Sequence, residues 1–142
     1  DSTMQLTMQT DYALRTLMYL ASQDDRATVA DVAELFQISS HHVAKVVNQL
    51  SRLGYIRSVR GMGGGIELAV PLEKIRLGDV IERFEGNLHL LECVGTENVC
   101  IIQPFCKLKG VLAEAERVQL EYLNSVTLAD VAPSHRQLKS IT

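Results

Sequence analysis

Apolar residues recur along this chain at two different periods, and the changes of period divide it. Tyr12, Leu14, Leu17, Met18, Leu20 and Ala21 form a wide helical face, with Thr10 or Asp11 placed to cap it. Asp24 and Asp25 break that run. Val29, Val32, Ala33 and Phe36 then mark a short second helix opened by Thr28, and Gln37, Ile38 and Ser39 read as a tight turn. Ser39 or Ser40 caps a third helix, roughly His41 to Leu53, whose buried face is Val43, Val46, Val47, Leu50 and Leu53. Gly54 stops it, as a left-handed position after a helix prefers.

The period then shortens. Tyr55 to Arg60 alternates loosely and Ile66 to Val70 cleanly, which predicts two strands joined by the glycine-rich tip Gly61-Met62-Gly63-Gly64-Gly65. A helical period returns from Leu77 to Phe84, with a start near Arg76. Residues 86–104 have poor periodicity. Lys107 to Asn124 is the longest predicted helix, with Leu108, Val111, Leu112, Ala115, Val118, Tyr122 and Leu123 at near-heptad spacing and Glu114, Glu116, Arg117 and Glu121 off that seam. Thr127 to Val131 adds a helical turn or two, and the last residues read as frayed. The expected fold is α+β and mainly helical. A winged helix-turn-helix spans 4–85, a loop 86–106, and a dimerisation helix with its tail 107–131; Asp1, Ser2 and Thr3 before Met4 read as a remnant of cloning.

Composition narrows the classes. Hydrophobic residues are 46% of the 142, enough for a real core, and the 22% charged is ordinary. The net charge of −3 argues against a generally basic nucleic-acid binder. The distribution argues the other way. No Asp or Glu lies between Glu34 and Glu67, whereas Lys45, Arg52, Arg57 and Arg60 do, so an acidic chain carries one local anion-binding surface. No apolar stretch approaches the ~20 residues of a membrane span, and no signal peptide is evident. The expected location is cytoplasmic, where thiols stay reduced.

Helix, turn, helix and glycine-tipped hairpin, in that order, is the order of a winged helix-turn-helix. A helix fits the major groove, and a thin hairpin reaches the adjacent minor groove or backbone. The expected reader is the third helix with His41, His42, Lys45, Asn48, Gln49 and Arg52. Asn and Gln can pair bidentately with adenine, and Lys can donate to guanine or phosphate. Arg57 and Arg60 flank the wing, where the minor groove attracts Arg. Gly61, Gly63 and Gly64 allow its backbone close to a partner.

The cysteines carry the other chemistry. Cys93, Cys100 and Cys106 form C-x6-C-x5-C, three thiols within fourteen residues. Thiolates select zinc, copper(I) or iron–sulfur clusters. The paired C-x2–4-C spacing usual for structural zinc is absent, and wider spacing suits a bulkier cluster. Buried cysteines acting as small hydrophobes do not fit a polar segment that holds Glu92, Glu97 and Asn98. A fourth ligand is needed. His89 and Glu97 are near in sequence and a remote carboxylate would also serve; spacing does not choose among them.

Taken together the chain resembles the winged-helix iron–sulfur transcriptional regulators, from Met4 to about Val131. The resemblance rests on Met4 to Thr7 with Thr10 to Arg15, on Val43 to Leu50 with Leu53 to Ile56, on Arg60-Gly61 and Gly64-Gly65 with Leu68-Ala69, and on the three cysteines. Leu128-Ala129-Asp130 and Thr10-Asp11-Tyr12 fit the nitric-oxide-sensing branch. A cluster-homeostasis branch has a His three residues after the last Cys, where Lys109 stands here. The resemblance implies a homodimeric repressor, not an enzyme, on a palindromic double-stranded DNA operator. Nitric oxide would be the signal, and nitrosylation or loss of the cluster would relieve DNA binding. It implies cluster ligation by Cys93, Cys100 and Cys106, with Asp11 as a fourth ligand from the partner subunit. A plain helix cap at Asp11 is the competing account. Three thiolates and a carboxylate favour 4Fe–4S, and 2Fe–2S stays open. Iron or cluster status as the signal is the nearest rival, and an iron–sulfur electron-transfer protein is the rival from another class.

Overall fold

A computed structural model describes residues 6–86 and 107–141. Helix α1 spans Met8–Ala21, one turn longer at its start than the sequence pattern indicates. Thr7 is the cap, its side chain accepting from the Thr10 N–H at 3.3 Å. Thr10 and Asp11 therefore lie inside the helix and do not cap it. Thr10 is wholly buried, and its hydroxyl donates to a Glu85 carboxylate oxygen, which also accepts from the Thr7 N–H at 2.8 Å and the Thr7 hydroxyl at 3.0 Å.

Helix α2, Val29–Phe36, begins with a reciprocal capping box between Thr28 and Asp31. Gln37 turns the chain in a left-handed conformation, φ 58°, and the Ile38 N–H returns to the Ala33 carbonyl at 2.9 Å. Ser39 caps α3, Ser40–Arg52, accepting from the His42 N–H at 3.2 Å. Its far end is closed by paired bonds from Tyr55 to Leu50 and from Gly54 to Ser51, with Gly54 at φ 89°. This is the helix stop that glycine permits.

Strands β1, Ile56–Val59, and β2, Gly65–Leu68, pair antiparallel with Arg57 opposite Glu67. Ala27 extends the ladder, exchanging both backbone bonds with Ile66 at 3.1 and 2.7 Å. A single bridging residue leaves no period of its own, so the sequence pattern does not reveal it. A short 3-10 turn, Leu72–Lys74, leads to α4, Leu77–Glu85. Beyond the cysteine-bearing stretch come α5, Lys107–Asn124, then α6, Leu128–Val131, and α7, His135–Lys139. The tail is thus helical rather than frayed. Ser134 and Gln137 form a capping box there.

The core sits among α1, α2, α3 and the hairpin. Leu17, Val32, Val43, Leu50, Ile75 and Val80 have no exposed surface, and each such burial contributes roughly 1.5–3 kcal/mol. The chain returns to this core after α5. Leu128 is completely buried, and its N–H donates to the Ile75 carbonyl at 2.8 Å. Gly78 of α4 lies against Asn124, where a Cβ would collide with that side chain, so α4 and α5 pack at glycine distance. The architecture is the mainly helical one with a small wing that the sequence indicates. No described helix is long and apolar enough to cross a membrane.

Candidate nucleic-acid interface and cysteine segment

Burying Val43, Val46, Val47 and Leu50 turns the opposite side of α3 outward. His41, Lys45, Asn48 and Arg52 are exposed along that side at spacings of four, three and four, one continuous helical face. Gln49 is half-buried at its edge. His42 is exposed but drawn back toward the fold. Its Nδ1 lies 3.0 Å from the Ser39 hydroxyl, and its ring sits 6.2 Å from that of Tyr12 on α1. The first turn of α3 carries no acid, so its positive helix end is not neutralised from within.

The wing follows this helix in sequence, and its first strand packs against it. Gly61 and Gly63 have φ of 92° and 74°, and a Cβ on Gly64 would strike the Val59 carbonyl oxygen. Larger side chains would be strained at these three positions. Met62, absent from the sequence-derived site, stands at the tip fully exposed. Arg60 is exposed. Arg57 is exposed too but donates from Nε to Glu67 at 2.6 Å.

Arg26 is a second residue that the sequence reading missed. It donates to Glu67 at 3.0 Å and to the Gly63 carbonyl at 3.1 Å, so it belongs to the wing. It lies outside the acid-free window and directly after Asp24-Asp25, which hid it. The hydrogen bond from Arg57 is the main influence holding the Glu67 carboxyl below the usual range; desolvation opposes it and the charge of Arg26 adds to it.

Cys93, Cys100 and Cys106 lie outside the described residues, as do His89 and Glu97. Among the described residues no group of three or more His, Cys, Asp or Glu is placed to hold a metal. Three thiols in fourteen residues are a soft donor set, and the last directly precedes Lys107, the first residue of α5. Asp11 projects from α1 with its side chain 48% exposed and pairs with Arg15 one turn on at 3.1 Å. With Thr7 as the cap, Asp11 is not the N-cap residue; it sits in the first turn of α1, where a carboxylate also meets the positive helix end.

Helix α5 has two faces. Leu112, Leu120 and Leu123 are half-buried on one side, and Leu108, Val111, Ala115, Val118 and Tyr122 are exposed on another at spacings of three and four. None of its residues is buried.

The model of the Rrf2 family, described as iron-dependent transcriptional regulator, matches residues 6–134. The HTH-type transcriptional regulator NsrR of Shouchella clausii is 43% identical over 97% of this chain and 95% of its own length. The protein of that name from Halalkalibacterium halodurans is 44% identical over 97% of each. Among solved structures, the oxidised form of CymR from Staphylococcus aureus shares 27% identity with a TM-score of 0.72, covering 91% of this chain and 96% of that one. IscR of T. potens, at 24% identity and TM-score 0.72 over 97% of this chain and 88% of the other, shows the same fold. The chain belongs to the Rrf2 family, and it is a transcriptional regulator rather than an enzyme.

Proposed function

We propose that this protein is a DNA-binding repressor that responds to nitric oxide through an iron–sulfur cluster held by Cys93, Cys100 and Cys106. One observation carries the reading: a chain with an outward basic and amide face on α3 also concentrates its three thiols immediately before α5. The name NsrR borne by relatives above 40% identity supports it. His41, Lys45, Asn48 and Arg52, with Gln49 at the margin, read the major groove. His42 positions the start of that helix. Arg57, Arg60 and the glycines Gly61, Gly63 and Gly64 bring the wing to the adjacent backbone.

The exposed stripe of α5 joins two copies, which places two reading helices on a palindromic site. The cluster, when bound, would supply iron able to take nitric oxide as a ligand. Asp11, which is not the N-cap of α1, is the fourth ligand and comes from the partner subunit. Three thiolates and one carboxylate favour the 4Fe–4S form over 2Fe–2S.

Anaerobic purification with iron and sulfide analysis tests the cluster. A broad visible band is expected, lost in each single Cys→Ala variant while the protein stays dimeric. Titration with nitric oxide should release a duplex selected by the protein from random sequence. A colourless zinc protein, or DNA binding that ignores nitric oxide, overturns the proposal. Release on iron chelation without any effect of nitric oxide selects the iron-responsive reading, which the family's iron-dependent description favours. Asp11→Ala should change cluster stability or nitric-oxide kinetics; unchanged spectra and kinetics remove Asp11 from the ligand set.

A further inference from the structure

The acid-free window ends at Glu67, and the fold carries that carboxylate back into the basic surface. Glu67 stands directly across the ladder from Arg57. Its two oxygens are divided: Oε2 accepts from Arg57 Nε at 2.6 Å, and Oε1 from Arg26 Nε at 3.0 Å. Arg26 simultaneously fastens the tip through its bond to the Gly63 carbonyl. The cluster is accessible, with side-chain exposures of 61% for Arg57, 39% for Arg26 and 26% for Glu67. A guanidinium fork donates to carboxylate and to phosphate oxygens with similar geometry. Two of the groups that would grip a DNA backbone at the wing, Arg26 and Arg57, are therefore each engaged through Nε, in the free protein, by a carboxylate anion.

We propose that Glu67 is a built-in competitor for DNA phosphate, which holds Arg26 and Arg57 until a duplex seated by α3 brings its backbone to the wing. The proposal rests on the DNA-binding reading above and assigns Arg26 and Glu67 roles within it. Its physical basis is exchange. A phosphate that displaces Glu67 gains two guanidinium contacts that the carboxylate loses, and the displaced carboxylate adds repulsion. The net gain is small on any duplex docked only by its backbone. It is realised where base contacts already hold the phosphate in place. Glu67 thus lowers affinity for DNA in general more than for the operator, and it acts as a specificity-determining residue without touching a base.

The test compares anaerobically isolated wild type with Glu67→Gln on a random-sequence duplex, by fluorescence anisotropy over a range of salt. Glu67→Gln should bind on the order of 5- to 10-fold more tightly, and the slope of log affinity against log salt should steepen by about 1 to 2, since each phosphate neutralised contributes about 0.9. Adding Arg26→Ala and Arg57→Ala to Glu67→Gln should abolish both changes. Should Glu67→Gln fold poorly, Glu67→Thr, a residue suited to strands, carries the same expectation. Equal or weaker binding with an unchanged or shallower slope, in a variant that melts like wild type, overturns the proposal and makes Glu67 a mere organiser of the wing. Lys45→Ala on the same duplex separates the two levels. If it weakens binding while Glu67→Gln changes nothing, the competitor fails and the DNA-binding reading stands. If wild type binds no duplex, both fail.

Discussion

Helices α3 and α5 carry apolar residues at similar spacing, yet they end in opposite states. In α3, Val43, Val46, Val47 and Leu50 are at most 4% exposed. In α5, Leu108, Val111, Val118 and Tyr122 are 48–67% exposed and no residue is buried. The difference lies in what the rest of the chain supplies. Helix α3 has α1, α2 and β1 to cover its stripe. Among the described residues, helix α5 packs chiefly on α4, which meets one side of it. Periodicity states that a face must be covered; it does not state whether the cover comes from the same chain or from another copy. The winged half is covered from within the chain, with Leu128 from beyond α5 completing its core, whereas one stripe of the long helix is left exposed among the described residues.

The most severe way to break this contrast is at Leu128, where the chain following α5 enters the winged core. Leu128→Ala should destabilise by about 2–5 kcal/mol, the range for emptying a fully buried leucine site, read by urea unfolding. A loss below about 1 kcal/mol would show that the winged half is complete without it. Val118→Asp sharpens the other side. It should raise the dimer dissociation constant on the order of 100-fold, each tenfold being about 1.4 kcal/mol, in sedimentation measurements, with little change in the melting of the winged half. A variant that stays dimeric at the same concentrations would remove the stripe as the joining surface.

The smallest effect is expected at Glu85, which fastens the end of α4 to the start of α1. Burial raises its pKa, but the hydrogen bonds from Thr10, from the Thr7 N–H and from the Thr7 hydroxyl outweigh that and leave it below the usual range. A carboxyl with a depressed folded pKa stabilises fully above the unfolded value of about 4.3, and that contribution disappears as pH falls through the folded value. Glu85→Gln should therefore cost on the order of 1 kcal/mol near neutrality, and the gap to wild type should close in acid. A gap independent of pH would mean that the ionised form is not what Thr7 and Thr10 hold.

Much of the winged half was legible because its signals are local. Thr28, Ser39 and Gly54 stand where caps and stops belong, and the hairpin alternates around its glycines. What escaped depends on partners distant in sequence. Thr10 looked like a cap because its true role requires Glu85, 75 residues on. Ala27 joins the sheet through one residue, and Leu128 enters the core from beyond the long helix. Arg26 was masked by two aspartates before it, and its meaning needs Glu67, 41 residues on. At the candidate site the exposed side of α3 was readable from helical period alone. The inward turn of His42 was not, because it depends on Tyr12 of a different helix.

The burial of Leu128 also sets an order of events during synthesis. It follows Val80, the preceding member of the buried core cluster among the described residues, by 48 residues, and at about 5–20 residues per second the ribosome takes roughly two to ten seconds to make that stretch. Throughout that interval the nascent chain lacks the leucine that packs beside Ile75 in the finished core, and the three cysteines are translated within it. The thiols are thus synthesised before the last residue of that core exists.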